Sequence, residues 1–238
     1  MKPEKFSDWL KQSLLFINRE PVVWIVYTLL TGMLQVIGRI SLALGIFISV
    51  ISLLVGVGIA KYIDMKNSER RVNLSYAIYK SLPLAILAAG TIVSCWFVFM
   101  SIATLYSGEL YKIGQFFFYW ELTPENLNRQ SSREITSWIY TYANVTLIFS
   151  LLMMSTFASW FSHSLMLFKD YRWSLAKEIG DKAVKKHQNA LYKLLGFVFI
   201  EAVLCASITP LLTPVLYMLT STLMYISYRN VFEVKRSQ

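Results

Sequence analysis

Residues 21–60 read PVVWIVYTLLTGMLQVIGRISLALGIFISVISLLVGVGIA, and Arg39 is the only charge among them. A helix that crosses a bilayer needs roughly 20 apolar residues, with a working range of about 17–25. The run is too long for one crossing and suits two. Gly38-Arg39 marks the break, because a helix-weakening residue and a charge coincide there. The stretch therefore predicts a helical hairpin with spans at Pro21–Ile37 and Ile40–Ala60. Pro21 suits a helix start, since its missing N–H would go unpaired there in any case.

The rest of the chain agrees with that reading. Hydrophobic residues make up 55% and charged residues 16%, against about a quarter charged in soluble domains. A third span is expected at Leu82–Tyr106 and a long fourth at Trp138–Phe168. A second double-length run, Leu194–Tyr228, breaks at Thr209-Pro210, with Pro214 one turn later. It yields spans five and six at Leu194–Ile208 and Leu211–Tyr228. The fold class is all-α: a polytopic membrane helical bundle of six transmembrane helices plus amphipathic surface helices, in a single membrane domain, 1–238. The two cysteines, Cys95 and Cys205, lie inside apolar runs, which argues against a disulfide framework or a thiolate metal site.

The net charge of +9 reports topology. Of 23 Lys and Arg residues, 19 fall in the segments 1–20, 61–81, 169–193 and 229–238. Only Arg39, Lys112, Arg129 and Arg133 lie on the other side. Basic residues accumulate in cytoplasmic loops, so both termini are expected in the cytoplasm. The charge needs no nucleic acid. No small-x-small cleavage site follows the first apolar run, so residues 1–20 read as part of the mature protein.

The segments between spans carry their own signals. Residues 5–17 predict an amphipathic helix, with Phe6, Trp9, Leu10, Ser13, Phe16 and Ile17 on one face; that face is expected to rest on the membrane, the other reading being that it packs on the protein's own cytoplasmic ends. The segment 169–193 predicts a basic surface helix capped by Ser174. Its Lys177, Lys182, Lys185 and Lys186 are the candidate contacts for anionic lipid headgroups. The outside loop 107–137 contains Phe116-Phe117-Phe118-Tyr119-Trp120, read as an interfacial aromatic belt or as a re-entrant or docking segment.

Two patterns lie within the spans. Ser41, Gly45, Ser49, Ser52, Gly56 and Ala60 form a seam of small residues along one face of span two, which lets helices approach closely; Ser81, Ala85 and Ala89 repeat it in span three. Glu201 and His163 are ionisable groups inside spans, and such groups are functional-site candidates by default. His163 shares a face with Ser155 and Ser159. Counting 1.5 Å per residue brings Glu201 and His163 to a similar depth, so a Glu201–His163 contact facing the bundle interior is expected, the other reading being a protonated Glu201 hydrogen-bonded to a neighbouring helix; only Glu201 approaches the midplane. One glutamate and one histidine are too few for a recognisable metal site. No catalytic motif and no cofactor signature is present.

Several motifs together carry a resemblance. They are Trp9-Leu10 through Phe16 with Pro21 and Trp24; the segment Trp173 to Leu194; Pro210 and Pro214; and the tail Tyr228-Arg229-Asn230-Val231-Phe232. In these the chain resembles a family of uncharacterised bacterial inner-membrane proteins with about six spans. It departs from that family at the start of span two and in the run 116–120. The resemblance implies location and architecture and carries no activity. A weak internal echo, Trp9-x-x-x-Ser13-Leu14 against Trp160-x-x-x-Ser164-Leu165, suggests a duplication. The function expected is that of a non-enzymatic integral membrane protein acting through a protein partner or self-association, as an assembly, accessory or immunity-type factor. The alternative is a small transporter or channel subunit using the Glu201/His163 region.

Overall fold

The computed structural model describes residues 5–67, 74–108, 111–117 and 130–233. In chain order the helices are α1 (Phe6–Ile17), α2 (Pro21–Gly38), α3 (Leu42–Asn67), α4 (Leu74–Ser107), α5 (Tyr111–Phe117), α6 (Ser132–Phe157), α7 (Ser162–Lys169), α8 (Trp173–Ser207) and, after a 3-10 turn at Pro210–Leu212, α9 (Thr213–Phe232). No strand occurs among the described residues. Six of these segments are long and apolar enough to cross a membrane: Pro21–Gly38, Leu42–Lys66, Leu74–Ser107, Ser132–Phe157, Trp173–Ser207 and Pro210–Phe232. The chain is a multi-pass membrane protein.

α3 and α9 form the centre of the bundle, and α2, α4, α6 and α8 surround them. The small residues of α3 are what admit these neighbours. The Ser41 hydroxyl accepts the Leu44 N–H at 3.1 Å and caps the helix. A Cβ at Gly45 would lie 2.8 Å from the Tyr142 ring, and one at Gly56 would lie 2.5 Å from Ser221 Oγ. Ser49 and Ser52 are buried between these points, and Ala60 is buried one turn beyond Gly56. In α4 the face with Ser81, Ala85 and Ala89 lies against α3. A Cβ at Gly58 would sit 2.9 Å from Ser81 Oγ.

Both expected hairpin turns are present, at Arg39 and at Thr209-Pro210. Other expectations need correction. Span four is not one helix from Trp138 to Phe168: α6 begins at Ser132, in a capping box between Ser131 and Glu134, and ends at Phe157. The chain breaks at Ser159, whose φ is +72°, and α7 follows as a short helix outside the six spans. The basic surface helix and span five are one 35-residue helix, α8, with non-helical torsions at His187 (φ −112°, ψ 21°). No proline interrupts it. At 1.5 Å per residue it is about 52 Å long, well beyond a hydrocarbon core of about 30 Å, so one end projects from the bilayer. Its N-cap is Arg172 rather than Ser174, and no side chain caps it.

The destination of α1 also differs from expectation. Its apolar face packs on the protein. Phe6 meets Phe197 at 5.5 Å, Trp9 meets His187 at 6.4 Å and Phe16 meets Tyr225 at 5.7 Å between ring centroids. Trp9 and Phe16 are fully buried. Burying an aromatic ring of this size stabilises by roughly 1.5–3 kcal/mol, and α8 and α9 offer the partner rings. Leu14 and Leu15 remain exposed and are the part of α1 free to meet lipid. In α5, Phe116 is buried, edge-on to Phe117 at 5.0 Å, and both rings lie near Phe97 of α4. The remaining aromatics of that run, 118–120, lie outside the described residues.

Candidate functional site

Charges and hydroxyls cluster along the axis of the bundle, on α3 and α9. At one end, Asp64 closes α3. The Arg229 guanidinium donates to Asp64 Oδ1 at 3.0 Å and the Tyr225 hydroxyl donates to Oδ2 at 2.6 Å. Arg19 approaches the same carboxylate at 3.8 Å. Around this centre, Lys61 reaches both oxygens of Glu233 at 2.8 and 3.0 Å, Lys66 pairs with Glu20 at 2.5 Å, and Asn230 donates to Gln12 at 2.9 Å. These bonds tie α1, the α1–α2 turn and the last turns of α3 and α9 together. Carboxylates and cations that are partly desolvated favour such pairing, because removing one partner leaves the other charge uncompensated.

Deeper in the bundle the groups are neutral. Tyr27 donates to the Ser52 carbonyl at 2.9 Å and lies 3.3 Å from Ser221 Oγ. Ser221 donates to the Tyr217 carbonyl at 2.9 Å. Ser49 lies 2.6 Å from the Tyr217 hydroxyl and 2.8 Å from Thr146 Oγ1; Tyr217 and Thr146 both reach the Ala143 carbonyl, at 2.8 and 3.0 Å. Tyr217 and Thr146 each donate to the Ala143 carbonyl, and Ser49 donates to Thr146. Asn144 donates to Thr213 at 3.0 Å one turn further on. In a low-dielectric interior a buried polar group is costly unless it is paired, and here these hydroxyls pair with one another and with backbone carbonyls, while the buried Ser52 and Thr220 side chains find no partner among the described residues. This corrects the expectation that Glu201 alone approaches the midplane.

The far end is aromatic. Arg39 is buried beneath two rings: its guanidinium carbon is 3.5 Å from the Trp138 centroid and 4.4 Å from that of Tyr142. Both distances are well within cation–π range. A groove of about 600 Å³, bordered by Arg39, Glu134, Trp138 and Val145, opens beside them. The position of the arginine follows from the sequence, because the turn between two spans is where a charge escapes the hydrocarbon; its aromatic cover comes from α6, 99 residues later, and could not be read from the turn.

The two ionisable residues singled out in the sequence do not meet. His163 lies in α7, buried, edge-on to Trp173 at 6.1 Å; burial pushes its imidazole down to about 4. Glu201 lies 28 residues along α8 from Trp173, roughly 40 Å away at 1.5 Å per residue. The depth count failed because the fourth span ends before His163. Ser155 and Ser159 do come together, with Asp181, Gln188 and Tyr192, around a cavity of about 290 Å³. Of the four lysines assigned to lipid headgroups, Lys182, Lys185 and Lys186 are exposed and Lys177 is half-buried; Lys182 pairs with Glu178 at 2.6 Å.

No protein-family model, curated protein or solved structure matches this chain. The family resemblance drawn from the sequence motifs has no matching family model behind it. The two halves of the Trp-x-x-x-Ser-Leu echo differ locally: Trp9 lies within α1, whereas Trp160 lies in the break before α7 and donates to Ser227 at 3.1 Å. Among the described residues no three His, Cys, Asp or Glu side chains group as a metal site. The residues that sequence reasoning missed are Asp64, Arg229 and the tyrosines of the axis. One signal was available: Tyr217, Ser221, Tyr225 and Tyr228 recur every four, four and three residues, a polar stripe on one face of a helix.

Proposed function

We propose that this chain is a non-enzymatic protein of the bacterial inner membrane, with both termini in the cytoplasm, that works by docking a transmembrane helix of a partner protein. The observation that carries the reading is on α4. Its face with Ser81, Ala85 and Ala89 is covered by α3. The opposite face presents a window of small residues, Gly90, Thr91, Ser94 and Cys95, between exposed Leu87 and Val98; Thr91, Ser94 and Cys95 are exposed, and among the described residues nothing within 4 Å would meet a Cβ at Gly90. Thr91 bonds its own helix, at the Leu87 carbonyl. Gly90 and Ser94 are four residues apart, the spacing by which membrane helices approach closely. Leucine-like residues suit a face that meets only lipid, whereas small residues suit one that meets a helix. The excess of basic residues at the Asp64 end supports the orientation. An assembly, accessory or immunity-type role fits a rigid bundle with a docking helix. A transporter built on Glu201 and His163 has no common site for the two groups.

The test is composition. Purified in mild detergent, the protein is expected to carry a stoichiometric membrane partner that cross-links from Cys95 and is lost on Gly90→Leu/Ser94→Leu. A partner retained by that variant, or a purified chain that cross-links only to itself, counts against the reading.

A further inference from the structure

The cavity between α6, α7 and α8 has the features of a built site. Its floor includes Ser159, whose side-chain oxygen is buried and has no hydrogen-bond partner among the described residues. Ser159 holds φ +72°, a backbone region that glycine occupies far more readily, and Gly180 on α8 approaches its hydroxyl closely enough that a Cβ there would be 2.9 Å away. Strain kept at such a position is a pointer to function. The one charged group in the lining is Asp181. Unlike Glu178 on the same helix, Asp181 forms no ion pair among the described residues.

The cavity continues into a track. Asp181, Val184, Gln188, Leu191 and Leu195 line it at steps of three and four residues, so they lie on one face of α8. That face changes along its length from a carboxylate, through the Gln188–Tyr192 hydrogen bond of 2.8 Å, to aliphatic side chains. Lys177 and Lys185 flank Asp181 one turn to either side. A carboxylate among lysines, above an aliphatic track, suits a ligand that carries a cation, an anion and a hydrocarbon in that geometry. An anionic headgroup without an amine could meet the lysines but would bring no cation to Asp181.

We propose that this cavity binds the zwitterionic headgroup of an aminophospholipid, with its ammonium on Asp181 and Ser159, its phosphate within reach of Lys177 or Lys185, and the start of an acyl chain along Val184, Leu191 and Leu195. The track ends in a carboxylate and a hydroxyl that has no partner among the described residues.

The experiment is native mass spectrometry of the full chain in detergent with equimolar phosphatidylethanolamine and phosphatidylglycerol of identical acyl chains. One phosphatidylethanolamine is expected per chain, with phosphatidylglycerol retained at least tenfold less. Asp181→Asn is expected to cut phosphatidylethanolamine retention about tenfold with an unchanged thermal midpoint, and Leu195→Trp, which fills the track, to do the same. Equal retention of the two lipids, or full retention by Asp181→Asn, overturns the proposal. Soluble phosphoethanolamine separates the sources: if it raises the thermal midpoint of lipid-free protein as much as the lipid does, the site takes a free amine and the acyl track is wrong.

Discussion

Arg229 and Asp64 meet at 3.0 Å, and with that contact the last turn of α9 is joined to the last turn of α3. Both side chains are about four-fifths buried, and Tyr225 holds the second carboxylate oxygen. Asp64→Asn is expected to destabilise the protein by about 2–4 kcal/mol, because it strands a partly buried guanidinium. Breaking the exposed Lys182–Glu178 pair by Lys182→Ala should cost under about 1 kcal/mol. Thermal unfolding of both variants in detergent checks the ratio; similar midpoints would refute the importance given to Asp64.

The close approach at Gly56 leads to a second prediction. A Cβ there meets Ser221 Oγ at 2.5 Å, its Cβ at 2.6 Å and the Tyr27 hydroxyl at 2.8 Å. Gly56→Ala is expected to cost about 1–3 kcal/mol from overpacking, and Gly56→Leu to prevent assembly. Gly90→Ala, where nothing stands within 4 Å, should leave stability unchanged or slightly raised. Yield of folded protein and its melting temperature measure the contrast.

The Tyr217–Ser49–Thr146 chain is expected to behave as a unit. Tyr217→Phe removes a hydroxyl that touches Ser49 and the Ala143 carbonyl and should cost about 1 kcal/mol. Ser49→Ala should cost a similar amount, and the double variant less than the sum. Strict additivity in the double-mutant cycle would show that the bonds are independent.

His163 sets a pH dependence. Its folded value is pushed down to about 4 by burial, below the ordinary 6.5. The folded state therefore binds fewer protons than the unfolded one between these values. The stability due to the neutral imidazole is full above about pH 6.5, declines as pH falls, and is lost below about 4, a total on the order of 3 kcal/mol. His163→Phe should flatten the difference in thermal midpoint between pH 7 and pH 4.5 relative to the parent. An identical pH profile in the two proteins would rule out a burdened His163.

What could be read in the sequence was what short-range chemistry decides. Gly38-Arg39 and Thr209-Pro210 punctuate two apolar runs, and both turns are found there. The break at Ser159 was hidden because a serine, with no glycine or proline beside it, holds the left-handed residue. The apolar face of α1 was visible, but amphipathicity does not say whether a face meets lipid or rings such as Phe197 and Tyr225. The axis was illegible for a different reason. Ser49 finds Thr146 and Tyr217 across 97 and 168 residues, and a lone serine in an apolar run looks the same whether it is paired or merely small.

The central position of α9 has a consequence for biogenesis. A chain made from its N-terminus delivers α2, α3 and α6 to the bilayer before α9 exists. Until then Tyr27, Ser49 and Asp64 lack Ser221, Tyr217, Tyr225 and Arg229 as partners, and the groove that will hold α9 is lined with hydroxyls and a carboxylate. The centre of the bundle is therefore completed only when α9 arrives. A ribosome that stalls before that point leaves a product whose defect is displayed within the membrane itself, in a form that membrane proteases and chaperones can recognise.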